Sequence, residues 1–146
     1  MKRVLVPLDQ TEGAEGVLPI VKALAEAGAT VRVLHVAPVP GNVIGDDGYV
    51  VAYSDQETAR LETEWTDYWA LLEPRHHLGA ETSIRFGDPA TQILAEAEAF
   101  GADTIVVTTG SRCAVKRTLL GSVAERVLRR AGIGVLLYRP QEEIAR

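Results

Sequence analysis

Residues 103–139 read DTIVVTTGSRCAVKRTLLGSVAERVLRRAGIGVLLYR, and this stretch decides the fold class. Asp103 to Thr109 is an apolar, β-branched run of the kind that forms a strand buried on both faces of a parallel sheet. A loop follows with Gly110 and the basic residues Arg112, Lys116 and Arg117. Gly121-Ser122 then opens an amphipathic helix reaching Ala131, with Val123, Val127 and Leu128 as its apolar face. A second apolar strand, Ile133 to Arg139, closes the unit.

The same alternation fills the residues before it. Residues 2–8 (KRVLVPL) are another near-continuous apolar run, ending where Asp9 or Thr11 can cap a helix. In that helix Val17, Ile20, Val21, Leu24 and Ala25 recur at helical spacing, and Gly28 supplies the stop. Pro19 places the regular part from near Leu18, or bends the helix there. Residues 30–37 (TVRVLHVA) form the next strand, with His35 inside it, halted by Pro38 and Pro40. Residues 38–54 read as a loop with Gly41, Gly45 and Gly48, and loops of that length are usually functional or mobile. Ser54-x-x-Glu57 is a capping-box pattern. Leu61, Trp65, Tyr68, Trp69 and Leu72 then make a helical stripe ending before Pro74, which assigns both tryptophans to the core. His76-His77 falls in the turn that follows.

Residues 81–86 (ETSIRF) alternate polar and apolar, as a sheet-edge strand does. In Gly87-Asp88-Pro89, Asp88 is the expected N-cap and Pro89 the first helical residue. Ile93, Leu94, Ala97 and Phe100 form the buried stripe of that helix, and Gly101 ends it. The sum is β-α-β-α-β-α-β-α-β, which implies an α/β fold: a single open parallel sheet with helices on both faces. Residues 1–140 are expected to form one domain, and 141–146 a short polar tail.

The chain has 146 residues, 47% hydrophobic and 24% charged, with a formal net charge of −5. That charge disfavours nucleic acid and anionic membrane surfaces as partners. Apolar runs such as Val135 to Tyr138 are too short to span a bilayer, and Pro7 and Asp9 interrupt any signal-peptide core. The single cysteine permits no intrachain disulfide and fits a reducing compartment, so a cytoplasmic protein is expected.

Ligands of such sheets bind beyond the carboxyl ends of the strands, where strand order reverses. Those ends are Leu8-Asp9, Val36-Ala37, Phe86-Gly87 and the run from Thr108 to Ser111. The sequence LDQTEGAEG after the first strand is no Gly-x-Gly-x-x-Gly fingerprint, and no Walker-type loop ending in Gly-Lys-Ser/Thr is present. Asp9 is placed to hold a metal or a sugar hydroxyl, or to cap a helix. Gly121-Ser122 offers free N–H groups and a hydroxyl to an anion, whose charge Arg112, Lys116 and Arg117 can offset. Cys113 has no histidine close in sequence, and the histidines lack partners at zinc-ligand spacing, so no catalytic residue is assigned.

With these segments in hand, the chain resembles the universal stress proteins. VLVPLDQTEGAE, LHVAPVP, GDPATQILAEAEAFGADTIVV and LLGSVAERVLRRAGIGVLLYRP carry the resemblance, in order and at the right spacing. It implies an adenine nucleotide alpha hydrolase-like sheet of strand order 3-2-1-4-5, and a homodimer paired through the last strand, Val135 to Tyr138. Many members bind ATP through Gly-x2-Gly-x9-Gly-Ser/Thr. Counted back from Gly121-Ser122 without gaps, Thr108 and Ser111 stand at the first two glycines. Starting instead from Gly110 requires a two-residue deletion and leaves Cys113 at the second. Asp9, Gly121 and Ser122 match binding positions, the backbone of Val36 can meet an adenine ring, and Asp9 holds Mg²⁺ if ATP binds. Three readings follow: a non-catalytic stress-response dimer with an altered nucleotide pocket, an ATP-binding and slowly hydrolysing protein, or an interaction module working through residues 38–54.

Overall fold

Which strand ends meet depends on strand pairing. The computed structural model describes residues 1–9, 15–41, 43–108 and 121–139. In chain order the elements are β1 (Arg3–Pro7), α1 (Leu18–Glu26), β2 (Thr30–Ala37), β3 (Val43–Ile44) and β4 (Val50–Ala52). Then come α2 (Ser54–His76), β5 (Glu81–Phe86), α3 (Pro89–Phe100), β6 (Thr104–Thr108), α4 (Ser122–Arg130) and β7 (Gly134–Tyr138). The five-stranded sheet is ordered β5-β2-β1-β6-β7, and every pair in it is parallel. Setting aside the small β3-β4 pair, this is the order 3-2-1-4-5.

Period-2 alternation divides the core between the two faces of the sheet. Val4, Val6, Val31, Val33 and Val106 pack with Leu18, Val21, Trp65, Trp69 and Leu72 of α1 and α2. Leu5, Leu34, Ile105 and Val107 pack with Ile93, Ala97, Phe100, Ala124 and Val127 of α3 and α4. Val4, Leu5 and Val6 are fully buried, so β1 is the shared spine of both cores. Each such side chain contributes roughly 1.5–3 kcal/mol by leaving water. Both tryptophans lie in the core, as the stripe requires.

Several expectations shift. The 38–54 segment contains an antiparallel hairpin, β3 with β4, turning through Asp46-Asp47-Gly48. Gly48 takes φ +82, and Tyr49 N–H donates to Asp47 Oδ1 at 3.0 Å. Strands this short carry too little periodicity to be read locally. α2 passes through Pro74 and ends on the left-handed His77, whose N–H donates to Glu73 O at 2.7 Å. A proline so near the end removes one hydrogen bond, while burial of Leu72 and Leu78 continues across it. At the start of α2, Tyr53 N–H donates to Gln56 Oε1 at 3.1 Å, one residue before the expected Ser54/Glu57 pair, and the Tyr53 side chain makes no cap bond in return. In α1 the N-cap position is Val17, without a side-chain cap, and Ile20 is exposed. In α4 the N-cap position is Gly121, Ala124 is buried, and Leu128 is exposed. Thr11, Thr109, Gly110 and residues 141–146 lie outside the described residues. Among the described residues no helix is long and apolar enough to cross a membrane.

Candidate functional site

The carboxyl end of β1 is held from two sides. Leu8 N–H donates to Leu34 O at 2.8 Å, extending the β1–β2 ladder one step beyond Pro7. His35 Nδ1 lies 3.1 Å from Leu8 O, and a carbonyl can only accept, so this ring nitrogen carries the proton. The imidazole in turn stacks on Trp65, with centroids 5.2 Å apart and planes 20° apart. Asp9 follows this pinned residue.

A crevice of about 190 Å³ opens there, where the order turns from β2 on one side of β1 to β6 on the other. Its floor is Pro7, Leu8, Leu34, Val36 and Val107. Pro89 and Ile93 of α3 form one wall, and Val123 and Ala124 of α4 the other. Asp9 and Thr108 are the polar side chains among its described lining residues. Apolar walls with a few polar groups at the edge suit a flat heterocycle bearing hydrogen-bonding substituents. Three of the four strand ends singled out from the sequence meet here; Gly87, just past edge strand β5, contributes through Pro89 two residues on.

The structure brings Asp9 and Val36 together with Thr108. Gly121 and Ser122 stand immediately before the lining residue Val123, with Ser122 exposed at the first helical position. Gly110 and Arg112, with Ser111, Cys113, Lys116 and Arg117, lie outside the described residues. Thr108 is the last residue of β6 and pairs with Tyr138. Among the described residues, His77 is the non-glycine with positive φ. A threonine in the glycine position therefore costs no backbone strain; what it adds is side-chain volume in the crevice.

Beside the crevice, two charged residues distant in sequence are joined. Arg126 of α4 donates through Nη1 and Nη2 to Asp88 Oδ1 and Oδ2, both at 2.8 Å. Asp88 also caps α3, accepting from Thr91 N–H at 3.1 Å and Thr91 Oγ1 at 2.7 Å. Arg126 and then Thr91 hold the Asp88 carboxyl well below the usual carboxylate range. Nearby, Tyr68 Oη donates to Glu15 Oε1 at 2.5 Å. Burial, then Glu15 and more weakly Asp9, push the Tyr68 phenol above its ordinary value, so it serves as a neutral donor.

No group of three His, Cys, Asp or Glu residues that could hold a metal ion occurs among the described residues. A single carboxylate such as Asp9 fits Mg²⁺ delivered on nucleotide phosphates and hydrated by water, which is how that ion is commonly bound.

The chain matches the universal stress protein family model over residues 1–139. It belongs to the universal stress protein family. It is 27% identical over 151 residues to the universal stress protein MJ0531 of Methanocaldococcus jannaschii, covering 97% of this chain and 85% of that one. The solved structure of hypothetical protein MJ0577 superposes with a TM-score of 0.74 at 24% identity, covering 97% of this chain and 98% of the other. A universal stress protein solved in complex with cAMP has a TM-score of 0.67 at 18% identity, covering 96% and 98%. At such identities the two structures speak to the fold alone, and they share it over nearly the whole chain.

Proposed function

We propose that this universal stress protein acts by binding an adenine nucleotide in the crevice between α3 and α4, without a chemical step of its own. The observation that carries the reading is the lining: apolar on floor and walls, polar at Asp9 and Thr108, at the reversal of strand order. An adenine ring is accommodated by the apolar surfaces, with the backbone of Val36 at its edge. Asp9 accepts from ribose hydroxyls, or holds Mg²⁺ when the ligand is ATP. The phosphates approach Gly121 and Ser122, where the first N–H groups of α4 are unsatisfied within the helix. A universal stress protein of the same fold has been solved in complex with cAMP, which makes that ligand one to test here. Isothermal titration with Mg·ATP and with cAMP tests the proposal, alongside mass spectrometry of nucleotide carried through purification. Heat from either ligand is expected, and no heat from both at millimolar concentration removes the reading. Slow ATP hydrolysis, the catalytic alternative, requires turnover proportional to protein and lost on Asp9→Ala.

The working form is a cytoplasmic homodimer joined through β7. No strand lies beside the outer edge of Val135 to Tyr138 among the described residues, and an unpaired edge invites a partner. Sedimentation of wild type against Leu137→Pro checks this, with the dimer lost in the variant.

A second reading, an interaction module working through residues 38–54, is favoured by surface chemistry. Val39, Ile44, Tyr49, Val50 and Tyr53 are all exposed. Clustered exposed apolar residues mark interaction sites. If Ile44→Ser with Tyr49→Ser left every partner contact intact, this reading would lose its support.

A further inference from the structure

We infer that the Asp88–Arg126 ion pair sets the width of the crevice, making Asp88 and Arg126 positioning residues for the ring bound between its walls. The inference rests on the nucleotide-binding reading above. Pro89, beside Asp88, lines one wall, and Val123 and Ala124, within one turn of Arg126, line the other. Deeper down, Ile93, Ala97, Ala124 and Val127 share one core, so packing sets the spacing of α3 and α4 there. Next to the lining residue Pro89, the two helices are joined by the planar two-point contact of Arg126 on Asp88, both bonds 2.8 Å long. Such a fork fixes both separation and angle, which a lysine ammonium cannot do. The two side chains are 45% and 43% exposed, so the pair adds little to global stability and acts on local geometry. Asp88 also meets the charge of Arg126, which leaves that guanidinium engaged away from a ligand phosphate.

The experiment compares wild type, Arg126→Met and Arg126→Lys by titration with uncharged adenosine and with anionic cAMP. Arg126→Met is expected to weaken both ligands by the same factor, about 5- to 10-fold, through lost preorganisation. Arg126→Lys should fall between, and thermal midpoints should stay within about 2 °C of wild type. Added salt should weaken adenosine binding in wild type, by screening the clamp, and leave Arg126→Met unaffected. Weakening of cAMP alone would make Arg126 a phosphate contact and overturn the inference. Unchanged affinity for both would also overturn it, since packing would then set the gap. If wild type binds neither ligand, the nucleotide reading fails. The clamp is then read by hydrogen exchange in the free protein. Faster exchange confined to the first turns of α3 and α4 in Arg126→Met supports it, and unchanged exchange overturns it.

Discussion

Replacing Glu96 with Gln probes the charged cluster that joins α3 to the β5 edge of the sheet. The residue is 5% exposed, and its carboxylate accepts from Arg32 Nη1 at 2.8 Å, Ser83 Oγ at 3.2 Å and Arg85 Nε. Burial favours its neutral form, but Arg85 and Arg32 together outweigh that and hold the carboxyl below its ordinary range. Glutamine keeps the volume and one acceptor while turning an amide N–H toward an arginine. Hydrogen bonds to charged groups contribute roughly 1.5–3 kcal/mol, and breaking a buried pair costs about 3–5 kcal/mol. The arginines soften this: Arg32 keeps Glu81 and Arg85 keeps Gln92, and their side chains are 25% and 30% exposed. The expected loss is therefore about 3 kcal/mol, near the lower end for a buried pair. For a domain of this size that lowers the thermal midpoint by roughly 6–12 °C. Urea unfolding at neutral pH measures it, with an unchanged denaturant slope. A carboxyl depressed in the folded state adds stability that is present above its unfolded pKa and lost as pH falls through the folded one. The gap between wild type and Glu96→Gln should therefore narrow as pH drops below about 4. A loss under about 1 kcal/mol, the range of exposed pairs, would refute the view that this cluster is desolvated.

Three further outcomes are expected. His77→Gly removes the Cβ penalty at φ 50 on an exposed helix end and should stabilise by about 0.5–1 kcal/mol, read by the same urea titration. Thr108→Gly should raise nucleotide affinity severalfold by clearing side-chain volume from the crevice, while lowering stability by about 1 kcal/mol because glycine weakens a strand end. Unchanged affinity would mean that Thr108 does not limit the ligand. His35→Phe keeps a ring against Trp65 but loses the N–H to Leu8 O, costing about 1–3 kcal/mol and weakening nucleotide binding as the Leu8-Asp9 segment loosens. Paired unfolding and titration measurements check both halves of that statement.

Much of this architecture was legible along the chain because its signals are local. Continuous β-branched runs betrayed the buried strands, helical spacing sent Trp65 and Trp69 inward, and Asp88-Pro89 marked the start of a helix. Asp9, Val36 and Thr108 could be singled out because strand ends are where such sheets hold ligands. The β3–β4 hairpin is not legible along the chain, being too short for any period to develop. Glu96 lies between Ile93 and Ala97 with no local pattern to mark it as buried. Sheet pairing makes it buried, by bringing Arg32 of β2 and Arg85 of β5 against it. Asp88 reads as a cap, Arg126 carries no local signal, and nothing local links residues 38 apart. They meet because β6 inserts beside β1, with α3 and α4 packed on the same face of the sheet. By itself, then, the sequence determined the strands of the main sheet, the helices between them, most of their buried faces and, through its motifs, the family. The tertiary structure alone decided the crevice walls, the Asp88–Arg126 clamp and the burial of Glu96, because each depends on contacts between segments that no local pattern encodes.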